Sequence, residues 1–450
     1  MSMIGNQVIS TNFPVDYFSG NGSTTAFTLS IAPASVNALD VQVSGVSQSP
    51  QTYSVSGTTL TFSAAPPSGS SNIVVRHLGI AGIPNTPSVA SVVTSSIASN
   101  AVTPAKMANG GAEFGYRNRI INGAMTVAQR GTSFTFSNAI YPVDRFLAAT
   151  FGTVPTATIS QSSTAPAGFI NSILLSITTG QAVGSTDIHA IRQSIEGLNL
   201  YDLNYGNASA VTTTLSFWVR SSLIGNYTVA IYNPNSTKWY SQPYTINNAN
   251  TWEQKTITVV GDTVSAMATN NTAGILIDWI VGAGSTYNGT ASQSWSTTAP
   301  RQITGSQNIT ATTGATFYIT GVQLEVGTTA TNFDYRSYGT ELALCQRYYF
   351  KTDVLGIGAA NTTTGFVTHI AFGVPMRSTP TTVVPAGVSW VISDDYSADS
   401  TASTPTVAST YSQSSTSWRG QLGGFTGLTV AKWYGWVPAV ANAIAFSAEL

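Results

Sequence analysis

The chain has 450 residues, of which 8% are charged, and 17 lysines and arginines against 18 aspartates and glutamates leave a formal net charge of −1. An ordinary globular protein carries roughly a quarter charged residues, so this surface is covered by Ser, Thr, Asn, Gln and Gly instead. No basic field exists to draw in a phosphate backbone, and no stretch approaches the roughly 18 apolar residues of a span, so nucleic-acid binding and membrane insertion are not expected.

The length suits about three domains. Forty glycines, frequent β-branched runs and few helical stripes predict an all-β fold with many tight turns. Cys345 is the single cysteine, which excludes an internal disulfide framework and a thiol metal cluster. The opening MSMIGNQVISTN lacks a basic region followed by an apolar run, so a usual secretory signal is not expected.

From Phe13 to Ile80 apolar and polar residues alternate in short runs, Phe27-Leu29-Ile31, Leu39-Val41-Val43, Tyr53-Val55, Leu60-Phe62 and Ile73-Val75. Such alternation predicts half-buried strands, here a small β-sandwich over residues 1–80. A Gly/Pro linker follows, and within residues 81–112 Val92, Ile97, Val102 and Met107 recur at intervals of five. That spacing fits neither an isolated helix nor a flat strand. A strip so poor in apolar residues cannot offset its own ordering entropy, whereas identical chains wound about one axis can share the stripe as a core. The expectation is an elongated homo-oligomer.

Residues 113–340 carry many short strands without helical patterns between them, among them TLSFWV, YTVAIY, KTITVV, GILIDWIV and FYITGVQLEV. These predict two antiparallel sheets packed face to face, a jelly roll. TELALCQRYYFK sets Leu342, Cys345 and Tyr349 on one side of a single helix, and a last β-sandwich is expected over 341–450.

Several of these motifs carry a resemblance. FPVDYFSGNGSTTAFTLS with YSVSGTTLTFSAAPPSGSSNIVVR is similar to the N-terminal virion-attachment module of bacteriophage tail fibres, and AVTPAKMANG resembles their trimeric linkers. NRIINGAMTVAQRGTSF, YPVDRF, LSFWVRSSLIGNYTVAIYN, NTWEQKTITVVGDT and FYITGVQLEVGTTATNFDYRSYGTELALCQRYYF, in that order, resemble the carbohydrate-binding-module-like jelly roll of such fibres. FGVPMRSTPTTV and the closing IAFSAEL resemble their C-terminal domain, while 389–418 matches nothing recognisable. The resemblance implies a homotrimer in the virion, part of the phage tail. The N-terminal domain would dock on a tail or baseplate protein, and the distal domains would bind a host surface polysaccharide or an outer-membrane receptor. A polysaccharide depolymerase and a purely structural tail adaptor are the alternatives.

Candidate chemistry is sparse. His77, His189 and His369 lie far apart and have no ligand-spaced partner, so no metal or other cofactor is expected. Asp394, Asp395 and Asp399 share a Ser-rich loop without the spacing of a calcium site. Asp144-Arg145 reads as a partly buried ion pair anchoring the jelly roll. Aromatics are abundant, with 9 Trp and 19 Tyr, and sugar rings stack on flat aromatic faces while neighbouring polar groups take their hydroxyls. Trp218 and Trp279 lie in apolar runs and read as core. Trp239, Tyr240, Tyr287 and Trp295 lie among polar residues in expected loops and are further candidates for glycan contact, with packing as the alternative. The first choices for glycan contact are Trp390, Tyr396, Tyr411 and Trp418, with Asp394, Asp395 and Gln413 as hydroxyl partners. In KWYGWV, alternation puts Trp433 and Gly435 on one face and Tyr434 and Trp436 on the other. No catalytic residues are expected.

Overall fold

The computed structural model describes residues 14–78, 117–291, 293–352, 356–384, 389–394, 399–402, 406–436 and 444–450. The stripe of Val92, Ile97, Val102 and Met107 lies outside the described residues, as do Asp395 and Tyr396. The chain divides into two compact units, Met1–Lys106 and Met107–Leu450, and it is all-β apart from one α-helix and short 3-10 turns among the described residues.

In the first unit a four-stranded and a three-stranded antiparallel sheet enclose Leu29, Leu39, Val41, Tyr53, Leu60, Phe62, Ile73 and Val75. Strand alternation does this: in Leu39–Val43 the first and third residues are buried. Strands Tyr53–Ser56 and Thr59–Phe62 form a hairpin with Ser56 opposite Thr59, closed through Gly57 at φ +59°. Glycine adopts that conformation without the clash a Cβ brings. His77, fully buried on Gly69–His77, sets Nε2 3.0 Å from the Asp16 carboxylate across the sheet.

The second unit begins with the expected pair of sheets, each six-stranded. Phe146, Ile191, Val229, Tyr244 and Trp279 from one meet Ile159, Leu175, Phe217, Phe317 and Leu324 from the other in one continuous core. Trp279 is buried, as its apolar run predicts. Trp218 is not in that core. On Thr213–Ser221 it alternates with Leu215, Phe217 and Val219, which fill the interior, and it is left half-buried on the outer face.

The helix spans Tyr338–Gln346 and starts at Ser337, whose side chain accepts from the Thr340 amide. It stops before Tyr349, which opens strand Tyr349–Thr352, so Leu342, Cys345 and Tyr349 do not share a helical face. Beyond it, strands Asp399–Ala402, Trp390–Ser393, Trp433–Trp436, Ile357–Thr362, Gly365–Ala371, Ser417–Gly423 and Thr406–Gln413 form, in that order, a seven-stranded sheet. A three-stranded sheet of Tyr349–Thr352, Ile444–Ser447 and Thr381–Val383 accompanies it. Phe350 and Phe446 of the small sheet share a core with Phe366, Trp390, Trp418 and Leu422 of the large one.

Asp144 and Arg145 do not pair with each other. Asp144 accepts from Arg130 at 3.2 Å, and Arg145 pairs with Glu449 near the end of the chain. Both lie in the turn between strands Ile140–Val143 and Phe146–Phe151, where Arg145 takes a left-handed φ of +71°, and each finds a separate partner. The anchor therefore reaches the segment that follows strand Ile444–Ser447 rather than staying within the jelly roll.

Candidate functional site

One face of the seven-stranded sheet stays open to solvent. In Ser417–Gly423 the side chains of Trp418 and Leu422 point into the core, which turns Arg419 and Gln421 outward. Gly365–Ala371 buries Phe366 and Ile370 and leaves His369 exposed, directly opposite Arg419. On the next strand Ala359 lies opposite both Val367 and Trp433. Trp433 is 67% exposed and Ile357 70% exposed, while Tyr434 is buried as alternation requires.

Tyr411 reaches this face by a different device. Thr410 pairs with Gly420 and Ser412 with Arg419, so Tyr411 is an extra residue in a β-bulge of the outer strand. Bulges re-aim a side chain and increase local twist. Its ring is 49% exposed, with the Arg419 guanidinium 5.8 Å from the centroid. Tyr411 Oη donates to Gln421 Oε1 at 3.1 Å, and Asn361 Nδ2 donates to Tyr411 Oη and to Gln421 Oε1, both at 3.0 Å. A ring fixed at its hydroxyl by two side-chain partners loses little freedom when a ligand stacks on it. Ile357, Asn361, Val367, His369, Tyr411, Arg419 and Trp433 line a shallow concavity of about 480 Å³, within the roughly 300–1,000 Å³ usual for small-ligand sites.

Of the residues put forward from sequence for glycan contact, Tyr411 alone among the described ones lies exposed on this face. Trp390 and Trp418 are 0% exposed. Both lie on strands rather than in loops, and their rings fill the core, Trp418 packing 5.8 Å from Phe446. They cannot touch a sugar. Gln413 gives its amide to the Pro380 carbonyl, and Asp394 is paired with Lys432, so neither carboxylate nor amide is held ready for a hydroxyl.

Of the jelly-roll candidates two are internal and two, Tyr287 and Trp295, are half-buried. Trp239 and Tyr240 belong to strand Lys238–Ile246 and are buried on opposite faces. Tyr240 joins the main core, while Trp239 stacks 4.4 Å from Tyr232 beneath the Arg301 guanidinium. The same guanidinium lies 4.8 Å from the ring centroid of half-buried Tyr287. Trp295 donates Nε1–H to the Val260 carbonyl at 2.7 Å and packs on Tyr205 and Tyr240. The polar residues around these rings are strand faces and turns that cover them. His369, Arg419, Gln421, Asn361 and Ile357 were missed. Period-two alternation with the buried Trp418 and Leu422 was the available signal for two of them. Among the described residues no group of three or more His, Cys, Asp or Glu side chains is placed to hold a metal.

No protein-family model matches the chain, and no curated protein matches it. Solved structures give distant likenesses. The enzymatically active domain of tailspike protein 4 of bacteriophage CBA120 is 13% identical over 47% of this chain, which spans 22% of that domain, with a TM-score of 0.27. A putative sugar-binding protein from Bacteroides thetaiotaomicron is 12% identical over 47% of this chain and 100% of its own, with a TM-score of 0.30. The family 11 carbohydrate-binding module of a Clostridium thermocellum cellulase is 10% identical over 45% of this chain and 99% of its own, with a TM-score of 0.24.

Proposed function

We propose that the chain is a bacteriophage tail-fibre subunit, homotrimeric and non-catalytic, that adsorbs the virion to its host by binding a bacterial surface glycan. The observation that carries this reading is Tyr411, exposed on an open sheet face with its hydroxyl held by Asn361 and Gln421, and Trp433 on the same face. Flat rings offer a surface for the C–H side of a sugar, and the amides beside them can accept or donate to hydroxyls. Among the described residues the lining holds no carboxylate, whereas glycoside hydrolysis uses two, roughly 5–9.5 Å apart. The face thus suits holding a sugar better than cutting it.

A shallow site binds weakly alone. Three copies per fibre turn later contacts into intramolecular ones and raise avidity roughly 10²–10⁴-fold. The sequence motifs quoted above support the tail-fibre context, with the N-terminal unit on the virion and residues 81–112 winding the chains together. Adsorption of host cells by the purified chain tests the reading. A Tyr411→Ala, Trp433→Ala double variant that keeps its fold is expected to lose adsorption. Undiminished adsorption removes this face from the account, new reducing ends released from the polysaccharide replace binding by cleavage, and a monomer in sedimentation removes the trimer.

A further inference from the structure

We propose that the glycan held by this face is anionic, its oxyanion gripped by Arg419 with His369 as a second donor. The inference rests on the reading of the face as a glycan site and adds the class of sugar it selects.

Charge is scarce in this chain, and its arginines are mostly occupied. Arg192 forks onto Asp278 at 2.6 and 2.7 Å, Arg347 onto Glu196 at 2.6 and 3.0 Å, and Arg119 reaches Asp202 at 2.5 Å. Arg419 differs. It is exposed, it lines the concavity, and no carboxylate pairs with it among the described residues. Its direct cross-strand partner is His369, another nitrogen donor, where a sheet usually favours an opposite charge. Among the described residues no acidic side chain is in the lining to answer either group.

Guanidinium presents a planar fork that matches a carboxylate or phosphate oxyanion through two parallel N–H···O bonds. The Tyr411 ring, 5.8 Å from the guanidinium, gives that side chain a surface to lie along. A sugar stacked on Tyr411 would therefore carry an acidic substituent toward the strand pair of Arg419 and His369. Across the face, Ile357 and Trp433 offer apolar walls to the uncharged side of the ring. Imidazole supplies an N–H donor in either tautomer, so His369 can serve the same oxyanion or an adjacent hydroxyl.

The test presents the purified full chain with bacterial surface polysaccharides arrayed in pairs, each acidic preparation beside its carboxyl-reduced or dephosphorylated neutral counterpart. Acidic members are expected to bind at least tenfold more tightly than their partners. Whether reduction or dephosphorylation abolishes the difference tells carboxylate from phosphate. Arg419→Gln should erase the preference, bringing the two members of each pair to equal affinity, while Arg419→Lys should keep part of it. Equal binding to both members of each pair overturns the proposal and leaves glycan binding standing. Absence of binding to every member, with adsorption unaffected by the Tyr411→Ala, Trp433→Ala pair, overturns both. A change in sedimentation on Arg419→Gln also overturns it, because the face would then join copies of the chain.

Discussion

Trp418 and Arg419 are neighbours in sequence and do opposite work. The backbone of an extended strand sends successive side chains to opposite faces, so Trp418 fills the core and Arg419 faces solvent. Two substitutions separate the roles. Trp418→Ala leaves a cavity among Phe446, Ile370 and Leu422 and should cost about 3–5 kcal/mol of stability by chemical denaturation. Tyr411→Ala touches an exposed ring and should leave the denaturation midpoint nearly unchanged. Its effect belongs to ligand affinity, where a contact of roughly 1.4–2.8 kcal/mol corresponds to a tenfold to hundredfold loss. Equal destabilisation by the two would show that Tyr411 is a structural residue. Tyr411→Phe isolates the hydroxyl, since it keeps the ring and removes the donor to Gln421. A drop in affinity intermediate between the parent chain and the alanine variant is expected in calorimetric titration.

At the scale of elements, the outer strand Thr406–Gln413 owes its shape to two irregularities, one between Val407 and Ser409 and one at Tyr411. Its partner answers with Gly420, where a Cβ would meet the Trp418 ring at 2.2 Å and the Ser409 carbonyl at 2.5 Å. Glycine there lets the Trp418 ring lie along its own strand. Gly420→Ala should therefore overpack the pair and cost about 1–3 kcal/mol, measurable as an earlier denaturation midpoint. These local facts also mark what sequence could convey. Runs such as TLSFWV and GILIDWIV announced buried strands because their apolar residues alternate or run on without break. The seven-stranded sheet was harder. Alternation through Trp418, Gly420 and Leu422 was visible, yet Ser and Thr on both sides made Trp390 and Trp418 resemble loop residues. A bulge leaves no period to read, and the meeting of Asn361 with Gln421 depends on a register between strands sixty residues apart, which no local pattern encodes. Alternation in KWYGWV separates Trp433 from Tyr434 but leaves open which of the two faces solvent.

On the scale of the second unit, the last residues of the chain are tied back into the jelly roll by charge. Glu449 accepts from Arg130 at 2.9 Å and pairs with buried Arg145, while Arg377 donates to the Ala448 carbonyl at 2.7 Å and to the Asn271 carbonyl at 2.6 Å. The Arg130 guanidinium also lies 3.6 Å over the Tyr349 ring, and that of Arg145 3.6 Å over Tyr348. Losing one partner of a buried pair strands the other, so Glu449→Gln should cost about 3–5 kcal/mol and weaken both sandwiches together in calorimetry. Asp144, 1% exposed in the same network, has its carboxyl pushed up from 3.8 to about 6, burial outweighing the pull of Arg130 and Gln129. The folded chain then holds a proton that the unfolded chain releases between about pH 4 and 6. Stability from this group must fall as pH rises through that window and level off above it, by up to about 3 kcal/mol for a shift of roughly two units. Asp144→Asn cannot ionise and lacks the slope. Denaturation of both chains at pH 4 and at pH 6.5 should show the parent losing ground to the variant at the higher pH. If the parent gains ground instead, attraction to Arg130 outweighs burial, and the network holds Asp144 charged.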